Sequence, residues 1–421
     1  MKKKPYLSGK RFLITQPMIR SFCGSTMVTL ELAEYLSSIG AKVTVYTNVA
    51  LPPALMSFEN AKIKVISSQD KYDLSLKDFD YVWVHSLTFP RQLLDELKDL
   101  PKELPAFVFL HMSPLDSIPD EHPWIYDLEN SLSSLSLYIS EKTLESNVKF
   151  GLPSNIGFFR NPAPLDFKRL IKRKISRVVK KVLIVSNHPP LEIMDAKKIL
   201  EENNISVAIY GEGGDKYDPI SPEILAKYDA VITIGKTVQY CIVGSLPVYI
   251  YDRFGGHGWL SESCYELSKT RNFSGRGFSK KTGNEIAQEI INGYNDALEF
   301  HLSSFLKNNN EFIIDSVLNE LLSGLRPRKI KPFDSEYIES VKAAVGCAEI
   351  RFIASEELGN VYKIYDELVR ELDEQKGLVQ QLSEYRRRFE ELSSSKRVKF
   401  LNMVLKPQDK IKDVLKKRHS V

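Results

Sequence analysis

The sequence has few cysteines and no long apolar run. Its four cysteines, Cys23, Cys241, Cys264 and Cys347, lie far apart with no paired spacing. This pattern argues against a disulfide framework and a zinc site, and it favours a reducing compartment. The basic residues that follow Met1 do not lead into the apolar run of a signal peptide, and no stretch approaches transmembrane length. We expect a cytoplasmic protein without a metal site.

Three site types that sequence motifs reveal are also missing. Gly235-Lys236-Thr237 lacks the glycine that a nucleotide-triphosphate P-loop carries five positions earlier, because Ala230 stands there. The segment around Gly24 offers one glycine where a dinucleotide-binding fingerprint has G-x-G-x-x-G. No pair of carboxylates fits the hydrolase arrangement. The sequence therefore predicts neither a P-loop nor an NAD site, and we expect no cofactor.

What is present is an ordinary globular composition arranged as alternating strands and helices. Apolar residues make up 43% of the 421 residues and charged residues 27%, with a net charge of +4, and this length suits two or three domains. Short β-branched runs bounded by turns predict buried parallel strands, and residues 26–38, 192–202 and 284–321 have helical spacing. The predicted strands are 11–15, 42–47, 63–66, 81–85, 106–111, 136–139, 182–185, 206–210, 230–234 and 247–251.

This alternation predicts an α/β fold with two Rossmann-like halves. We expect an N-terminal half at residues 1–167 and a second half at 168–328. Residues 329–421 lack strand signals and form a helical extension.

The stretch from Gly235 to Thr237 predicts an anion site. A strand, a glycine turn and a helix N-terminus place free N–H groups and the positive end of the helix dipole at one point. Lys236 would add a cation and Thr237 a hydroxyl donor, so a phosphate or pyrophosphate fits. The alternative is a helix capped by Thr237 with a solvated lysine.

The segment that follows, Asp252-Arg-Phe-Gly255-Gly256-His257-Gly258, places three glycines around one histidine. Such a turn loses much chain entropy on folding unless the backbone must approach another group closely or adopt positive φ. We interpret it as part of the same site, with a plain surface turn as the alternative.

Two predicted strands of the first half end in histidine, at His85 and His111. In an open parallel sheet, ligands bind outside the carboxyl ends of the strands. Both histidines are therefore candidate catalytic residues, and the alternative is a strand-end side chain bonded to a loop.

The helical extension carries two further patterns. A heptad-like stripe predicts either self-association or packing on the body of the protein. From Lys396 to Arg418 the chain has nine Lys or Arg against two Asp, with apolar residues between them. A basic amphipathic segment of this kind favours an anionic membrane surface, and the alternative is a solvated helix end. We expect no nucleic-acid binding, since stacking aromatics are scarce there. The stripe consists of Leu378, Leu382, Tyr385, Phe389 and Leu392.

In their order, these segments resemble the GT-B glycosyltransferases, in particular family-4-like enzymes of bacterial surface polysaccharide assembly. The resemblance covers roughly residues 10–325. It implies two Rossmann-like domains facing a cleft, with the acceptor on the first domain and a nucleotide-sugar donor on the second. The matching segments are the loop 16–25, HSL at His85, HMS at His111, SNIGFFRNPAPLDF at 154–167, SNHPP at 186–190 and GSLPVYIYD at 244–252.

The sequence departs from this family at the donor site. Retaining members carry two glutamates eight positions apart, and the equivalent positions here are Val231 and Gln239. Neither can act as a carboxylate, so Glu262 or Glu266 is a candidate substitute. The resemblance implies an acceptor loop at Cys23, Gly24 and Ser25, and it implies donor contacts from Ser186, Asn187, Gly211, Gly235, Lys236, Thr237, Gln239, Asp252, Gly255, Gly256 and His257.

The resulting hypothesis is a metal-independent glycosyltransferase that moves a sugar from a nucleotide-sugar to a lipid-linked saccharide. Its basic segment would hold it at the inner face of the cell membrane. The missing glutamates motivate an alternative, a non-catalytic GT-B subunit that stabilises a partner glycosyltransferase. A nucleotide-sugar epimerase is a further alternative for the function. For the partner, the alternative is a homodimer through the heptad stripe.

Overall fold

A computed structural model of the chain describes residues 6–115, 125–307, 310–374, 387–392, 394–396 and 399. The chain divides into two compact units, residues 1–342 and 343–421, and both sheets lie in the first unit. Within the described residues, no helix combines the length and the apolar content that crossing a bilayer requires.

The first sheet contains seven strands, which all run parallel. They are β1 (Arg11–Ile19), β2 (Lys42–Ala50), β3 (Lys64–Ser67), β4 (Tyr81–His85), β5 (Ala106–His111), β6 (Ser133–Tyr138) and β7 (Ile156–Phe158). Their order in the sheet is β3-β2-β1-β4-β5-β6-β7. The order reverses between β1 and β4, which makes the loops after these two strands the topological switch point where ligands bind.

The second sheet contains five strands. They are β8 (Lys181–Val185), β9 (Ser206–Tyr210), β10 (Ala230–Thr233), β11 (Val248–Asp252) and β12 (Gly255–Trp259). The order is β12-β11-β10-β8-β9, and only β12 is antiparallel to its neighbour. The switch point therefore lies between β8 and β10.

Helices connect the strands and cover the sheets. The α10 helix shows how the sequence sets a boundary: the Thr282 hydroxyl accepts from Glu285 N at 3.2 Å, and Glu285 accepts from Thr282 N at 2.7 Å. The helices are α1 (Gly24–Ser38), α2 (Ala54–Asn60), α3 (Arg91–Asp95), α4 (Tyr126–Leu132), α5 (Glu141–Val148), α6 (Leu191–Glu202), α7 (Pro222–Leu225), α8 (Lys236–Val243), α9 (Glu262–Lys269), α10 (Gly283–Leu302), α11 (Ser304–Lys307), α12 (Ile314–Leu322) and α13 (Ser335–Glu374).

The predicted fold class, two Rossmann-like domains of the GT-B type followed by helices, is confirmed by this topology. All the predicted strands are present, with small shifts at their ends. Two strands were not predicted: β7 is a three-residue edge strand, and β12 consists mostly of glycine, which is typical of turns. The helical stretch predicted at residues 284–321 consists of three separate helices, α10, α11 and α12.

The chain crosses between the two sheets twice, at neighbouring places. Ala163 N donates to Phe312 O at 2.6 Å, and Ile314 N donates to Ala163 O at 3.0 Å. After the second crossing, α12 packs into the core of the first sheet through Val317 and Leu318. The sequence analysis expected residues 168–328 to form the second half. In the structure, α12 lies within that range but packs in the core of the first half.

The C-terminal part is helical where it is described. Helix α13 has forty residues, and residues 387–392 are also helical. Most of the heptad stripe and most of the segment from Lys396 to Arg418 lie outside the described residues. Self-association and membrane binding therefore stay predictions.

A buried histidine on α10 makes the stability of the fold sensitive to acid. His301 is fully buried, and neither ring nitrogen has a hydrogen-bond partner among the described residues. Burial, with the nearby Arg173 charge, lowers the pKa of His301 to about 3. Because the unfolded chain takes up this proton near pH 6.5, the folded state loses stability as the pH falls below that value.

We predict that His301→Phe makes the fold less sensitive to acid. Without this histidine, the unfolded chain takes up one proton fewer between pH 6.5 and 4.5. The unfolding free energy of the variant therefore falls less steeply over this range, by up to about 1.4 kcal/mol per pH unit. Chemical denaturation at a series of pH values measures this slope. The control is His188→Gln, at an exposed loop histidine; an equal change of slope in both variants would contradict the assignment.

Candidate functional site

The turn between β10 and α8 forms the helix N-terminus that the sequence predicts. Gly235 has φ +55° and ψ −129°, a conformation that L side chains rarely adopt, and α8 begins at the next residue. Gly235 N donates to Phe273 O at 3.2 Å, which fixes the turn. Because the first N–H groups of a helix have no partner inside it, this end of α8 can hold an anion.

Lys236 occupies this turn, but its ammonium is already held by protein groups. Its Nζ lies 2.5 Å from Glu31 Oε2, and it donates to Asn161 O at 3.2 Å and to Pro162 O at 2.5 Å. An ammonium has three N–H donors, and three protein oxygens lie within 3.2 Å of this one. The sequence analysis predicted that this cation binds a donor phosphate. In the structure its contacts are with a carboxylate and two carbonyl oxygens.

The pair of Glu31 and Lys236 is buried, and Tyr240 completes it. The Tyr240 hydroxyl donates to Glu31 Oε1, and the Lys236 ammonium lies 5.0 Å from the centre of the Tyr240 ring. Burial raises the pKa of Glu31 and lowers the pKa of Lys236, while their mutual attraction opposes both shifts. Each charge is therefore stable in this place only with the other present.

The first loop approaches this turn from the other half. Cys23 Sγ lies 3.3 Å from Ser25 Oγ and 3.2 Å from Thr26 Oγ1, and α1 begins at Gly24. A Cβ built on Gly24 would lie 3.9 Å from Lys236 Cβ. The N-termini of α1 and α8 are therefore adjacent.

Two further contacts join the two halves. Phe22 N donates to Tyr217 Oη at 3.1 Å, and their rings lie 5.1 Å apart. Lys142 N donates to Thr270 O at 3.1 Å. The predicted acceptor loop thus contacts the segment after β9, and the start of α5 contacts the residue after α9.

His85 ends β4 at the switch point and is buried. Its backbone N donates to Thr15 Oγ1 at 2.9 Å, and its Nδ1 lies 3.4 Å from Thr29 Oγ1. Thr29 donates to Gln16, whose amide donates to Ser25 Oγ at 3.2 Å, so a polar chain links His85 to the first loop. Its Nε2 has no partner among the described residues. Burial lowers the pKa of His85 to about 4, which leaves the ring neutral at physiological pH.

His111 ends the neighbouring strand and is held by a carboxylate. Its Nε2 lies 2.9 Å from Glu129 Oε1, and Ser136 Oγ donates to the same oxygen at 2.6 Å. The ring stacks on Tyr138 with centroids 4.9 Å apart. A base oriented by a third group is a common catalytic arrangement, and the same contacts also suit a structural role.

The loops after β8 and β9 contact each other beside the second switch point. Glu212 N donates to Asn187 Oδ1 at 3.2 Å, and His188 N donates to Ser186 Oγ at 3.2 Å. A Cβ on Gly211 would lie 1.9 Å from Ser186 O, so only glycine fits there. The structure brings these three predicted donor residues together.

The turn predicted at residues 252–258 is shorter in the structure, but the predicted positive φ and close backbone approach are both present, with Gly255 at φ +113° and Gly258 at φ +95°. The chain turns at residues 253–254, and Gly255 and Gly256 open β12, where a Cβ on Gly256 would lie 2.1 Å from Ile250 O. Asp252 accepts from Phe254 N at 2.7 Å. His257 Nε2 lies 2.7 Å from Ser268 Oγ, and burial lowers its pKa to about 4. The glycines therefore serve close backbone packing.

The other predicted donor residues have mixed surroundings. Thr237 is buried, and so is the Gln239 amide, whose nitrogen donates to the backbone oxygens of Gly235 and Lys236 when the amide is assigned the orientation that satisfies both of its ends. Glu262 and Glu266 are both exposed on α9, and Glu266 pairs with Lys269 at 2.8 Å. No group of three or more His, Cys, Asp or Glu in the described part of the chain could hold a metal ion.

Four residues of this region were missed by the sequence analysis. Glu31 and Tyr240 lie within apolar helical patterns, and Glu129 is 18 positions from His111 in the chain. Asn272, whose amide accepts from Asn161 Nδ2 at 3.0 Å, belongs to no motif. Only Glu31 gave a signal, since it is an acidic residue among the apolar positions of α1.

Comparison with known proteins finds structural similarity without sequence similarity. No family model matches the chain, and no curated protein matches it. A glycosyltransferase from Rickettsia africae ESF-5 is similar over 75% of this chain and 99% of its own, at 13% identity and a TM-score of 0.40. The spinosyn forosaminyltransferase SpnP is similar over 76% and 99%, at 14% identity and 0.45.

A UDP-N-acetylglucosamine 2-epimerase is also similar, over 77% of this chain and all of its own, at 11% identity and a TM-score of 0.42. The names of these proteins thus include both transferases and an epimerase. Similarity of this degree does not assign an activity to the chain.

We predict that Gly235→Ala destabilises the fold through its backbone alone. The nearest atom to the added Cβ would be Asn272 Nδ2 at 3.9 Å, so the methyl group has room. The positive φ would still cost about 1–3 kcal/mol of unfolding free energy. Thermal and chemical denaturation measure this.

The matched control is Gly24→Ala, since Gly24 starts α1 without a positive φ and its Cβ would make an ordinary 3.9 Å contact. We expect no loss of stability there. Equal stabilities of the two variants would contradict the conformational explanation.

Proposed function

We propose that this protein is a glycosyltransferase that transfers a sugar from a nucleotide-sugar donor to a saccharide acceptor. The observation that carries the proposal is the meeting of two switch points. The loops after β1 and β4 belong to one sheet, those after β8 and β10 to the other, and Gly24 of the first lies beside Lys236 of the second. Ligands of open parallel sheets bind at such points, so two ligands can meet there.

The donor diphosphate would bind between the N-termini of α1 and α8. Each end carries unpaired N–H groups and roughly half a positive charge from the helix dipole. Because Glu31 neutralises Lys236, this positive potential comes from the backbone. It would stabilise the nucleoside diphosphate as negative charge develops on it, which makes the proposed reaction metal-independent.

The acceptor hydroxyl would bind near His85. A neutral imidazole whose Nε2 has no partner in the described residues can accept a hydrogen bond from a hydroxyl. The chain through Thr29 and Gln16 connects the ring to Ser25 in the predicted acceptor loop. His111, held by Glu129, is the second candidate base in the same sheet edge.

The finer assignment extends the resemblance. We propose a lipid-linked saccharide acceptor, a role in surface polysaccharide assembly of the family-4-like type, and a place at the inner face of the cell membrane. The support is the basic amphipathic sequence from Lys396 to Arg418.

A non-catalytic GT-B subunit is the second candidate, and one observation favours it. Gln239 stands where retaining relatives carry a glutamate, and its amide is fully buried against backbone oxygens. It offers no carboxylate to a donor sugar.

Calorimetric titration with UDP-, GDP-, dTDP- and CMP-sugars separates the candidates. We expect one donor to bind and to be consumed only when an acceptor is present. Donor conversion without acceptor would indicate an epimerase. No binding across the panel, by folded protein, would contradict the transferase and favour the subunit.

We predict that His85→Gln slows transfer while leaving donor binding intact. Loss of a group that accepts the acceptor proton lowers kcat by about 10²- to 10⁴-fold. Donor affinity, measured by the same calorimetry, stays near that of the wild type because no donor contact is removed. The control is His301→Phe, at a buried histidine of α10 that adds no atom to the site; wild-type kcat in His85→Gln would contradict the proposed role.

A further inference from the structure

One buried ammonium contacts three separate parts of the fold. Lys236 begins α8 in the second half, Glu31 lies on α1 in the first half, and Asn161 and Pro162 belong to the first crossing between them. Lys236 is 7% exposed and Glu31 5%. We call these contacts, together with the Tyr240 hydroxyl on Glu31, the interdomain bridge.

The interdomain bridge lies on the same two helices that flank the proposed phosphate site. Glu31 follows Gly24 by two helical turns, so both face the same side of α1. Lys236 Cβ lies next to Gly24, and its ammonium reaches Glu31. The side chain thus runs along α1 and ties its N-terminal two turns to the first turn of α8.

A buried pair of this kind selects one arrangement of the two halves. Domains within a chain move relative to each other unless their interface is large and apolar. A buried charge with all its partners tolerates little displacement, because any shift leaves a donor or the carboxylate unpaired. The interdomain bridge therefore sets how the N-termini of α1 and α8 are aligned.

We propose that Lys236 and Glu31 are positioning residues, which align the two halves for transfer and make no contact with the donor phosphates. The inference deepens the proposed function and rests on it for its kinetic test. Donor binding then depends on the backbone at Gly235 and Gly24, and the rate of transfer depends on the bridge.

The central variant is the double substitution Glu31→Gln with Lys236→Met. It removes both charges while keeping the side-chain volumes similar. A single variant leaves one unpaired buried charge and can unfold for that reason, whereas the double variant leaves none. The matched control is Glu201→Gln with Lys197→Met, which removes an ion pair of 2.6 Å within α6 of the second half. Tyr240→Phe provides a milder change of the same bridge.

We expect the double variant to lower kcat by about 10- to 100-fold, since a small misalignment of reacting groups has effects of this size. Its donor dissociation constant stays within about threefold of the wild type, because the remaining contacts are with the backbone. The effects of the two single variants are not additive, because they break one bridge. The control pair leaves kcat, donor affinity and unfolding unchanged.

A measurement without ligand keeps the test independent of the proposed function. Small-angle scattering gives the radius of gyration of the full-length protein, and amide exchange reports on α1 and α8. We expect a larger radius and faster exchange at both helix N-termini in the bridge variants, and neither change in the control pair. If no nucleotide-sugar binds the wild type, the proposed function fails and these two readouts still decide on the bridge.

Two results would overturn the inference. Donor affinity that falls tenfold or more in Lys236→Met, with Glu31→Gln near wild type, would make Lys236 a phosphate ligand (about 1.4 kcal/mol per tenfold). Unchanged radius, exchange and kcat in the double variant would leave the bridge with no role in alignment.

Discussion

The approach of two helix N-termini is the constraint on which the rest of this structure depends. Like partial charges meet where Gly24 lies beside Lys236, and such an arrangement is unfavourable without a compensating negative charge. Glu31 supplies that charge for the lysine, inside the protein. The backbone potential at the two helix ends remains uncompensated, and in the proposed site the donor diphosphate would compensate it.

This arrangement divides the proposed site between the two halves of the chain. The first half contributes the N-terminus of α1 and the polar chain from Ser25 to His85. The second contributes Gly235 with α8 and the interlocked loops at Ser186 and Gly211. The same two helices therefore carry both the proposed donor site and the bridge that aligns the halves.

Sequence patterns predicted the sheets, the Gly235 turn and the strand-end histidines, because these depend on local periodicity and on glycine at positive φ. The same patterns predicted that Lys236 binds a ligand, because a lysine after a strand and a glycine is a local signal of an anion site. Its partner Glu31 is 205 positions away in the chain, so no local pattern indicates the pair. The glycines around His257 were predicted as a turn for the same reason: their close contact with Ile250 is tertiary.

A crystal structure with a bound nucleoside diphosphate tests most directly whether both halves share a phosphate site. We expect phosphate oxygens within hydrogen-bond distance of backbone N–H groups at the starts of both α1 and α8, with the Lys236 ammonium still paired with Glu31. Phosphates bound by one half alone, or a Lys236 ammonium that leaves Glu31 for the phosphate, would contradict this expectation.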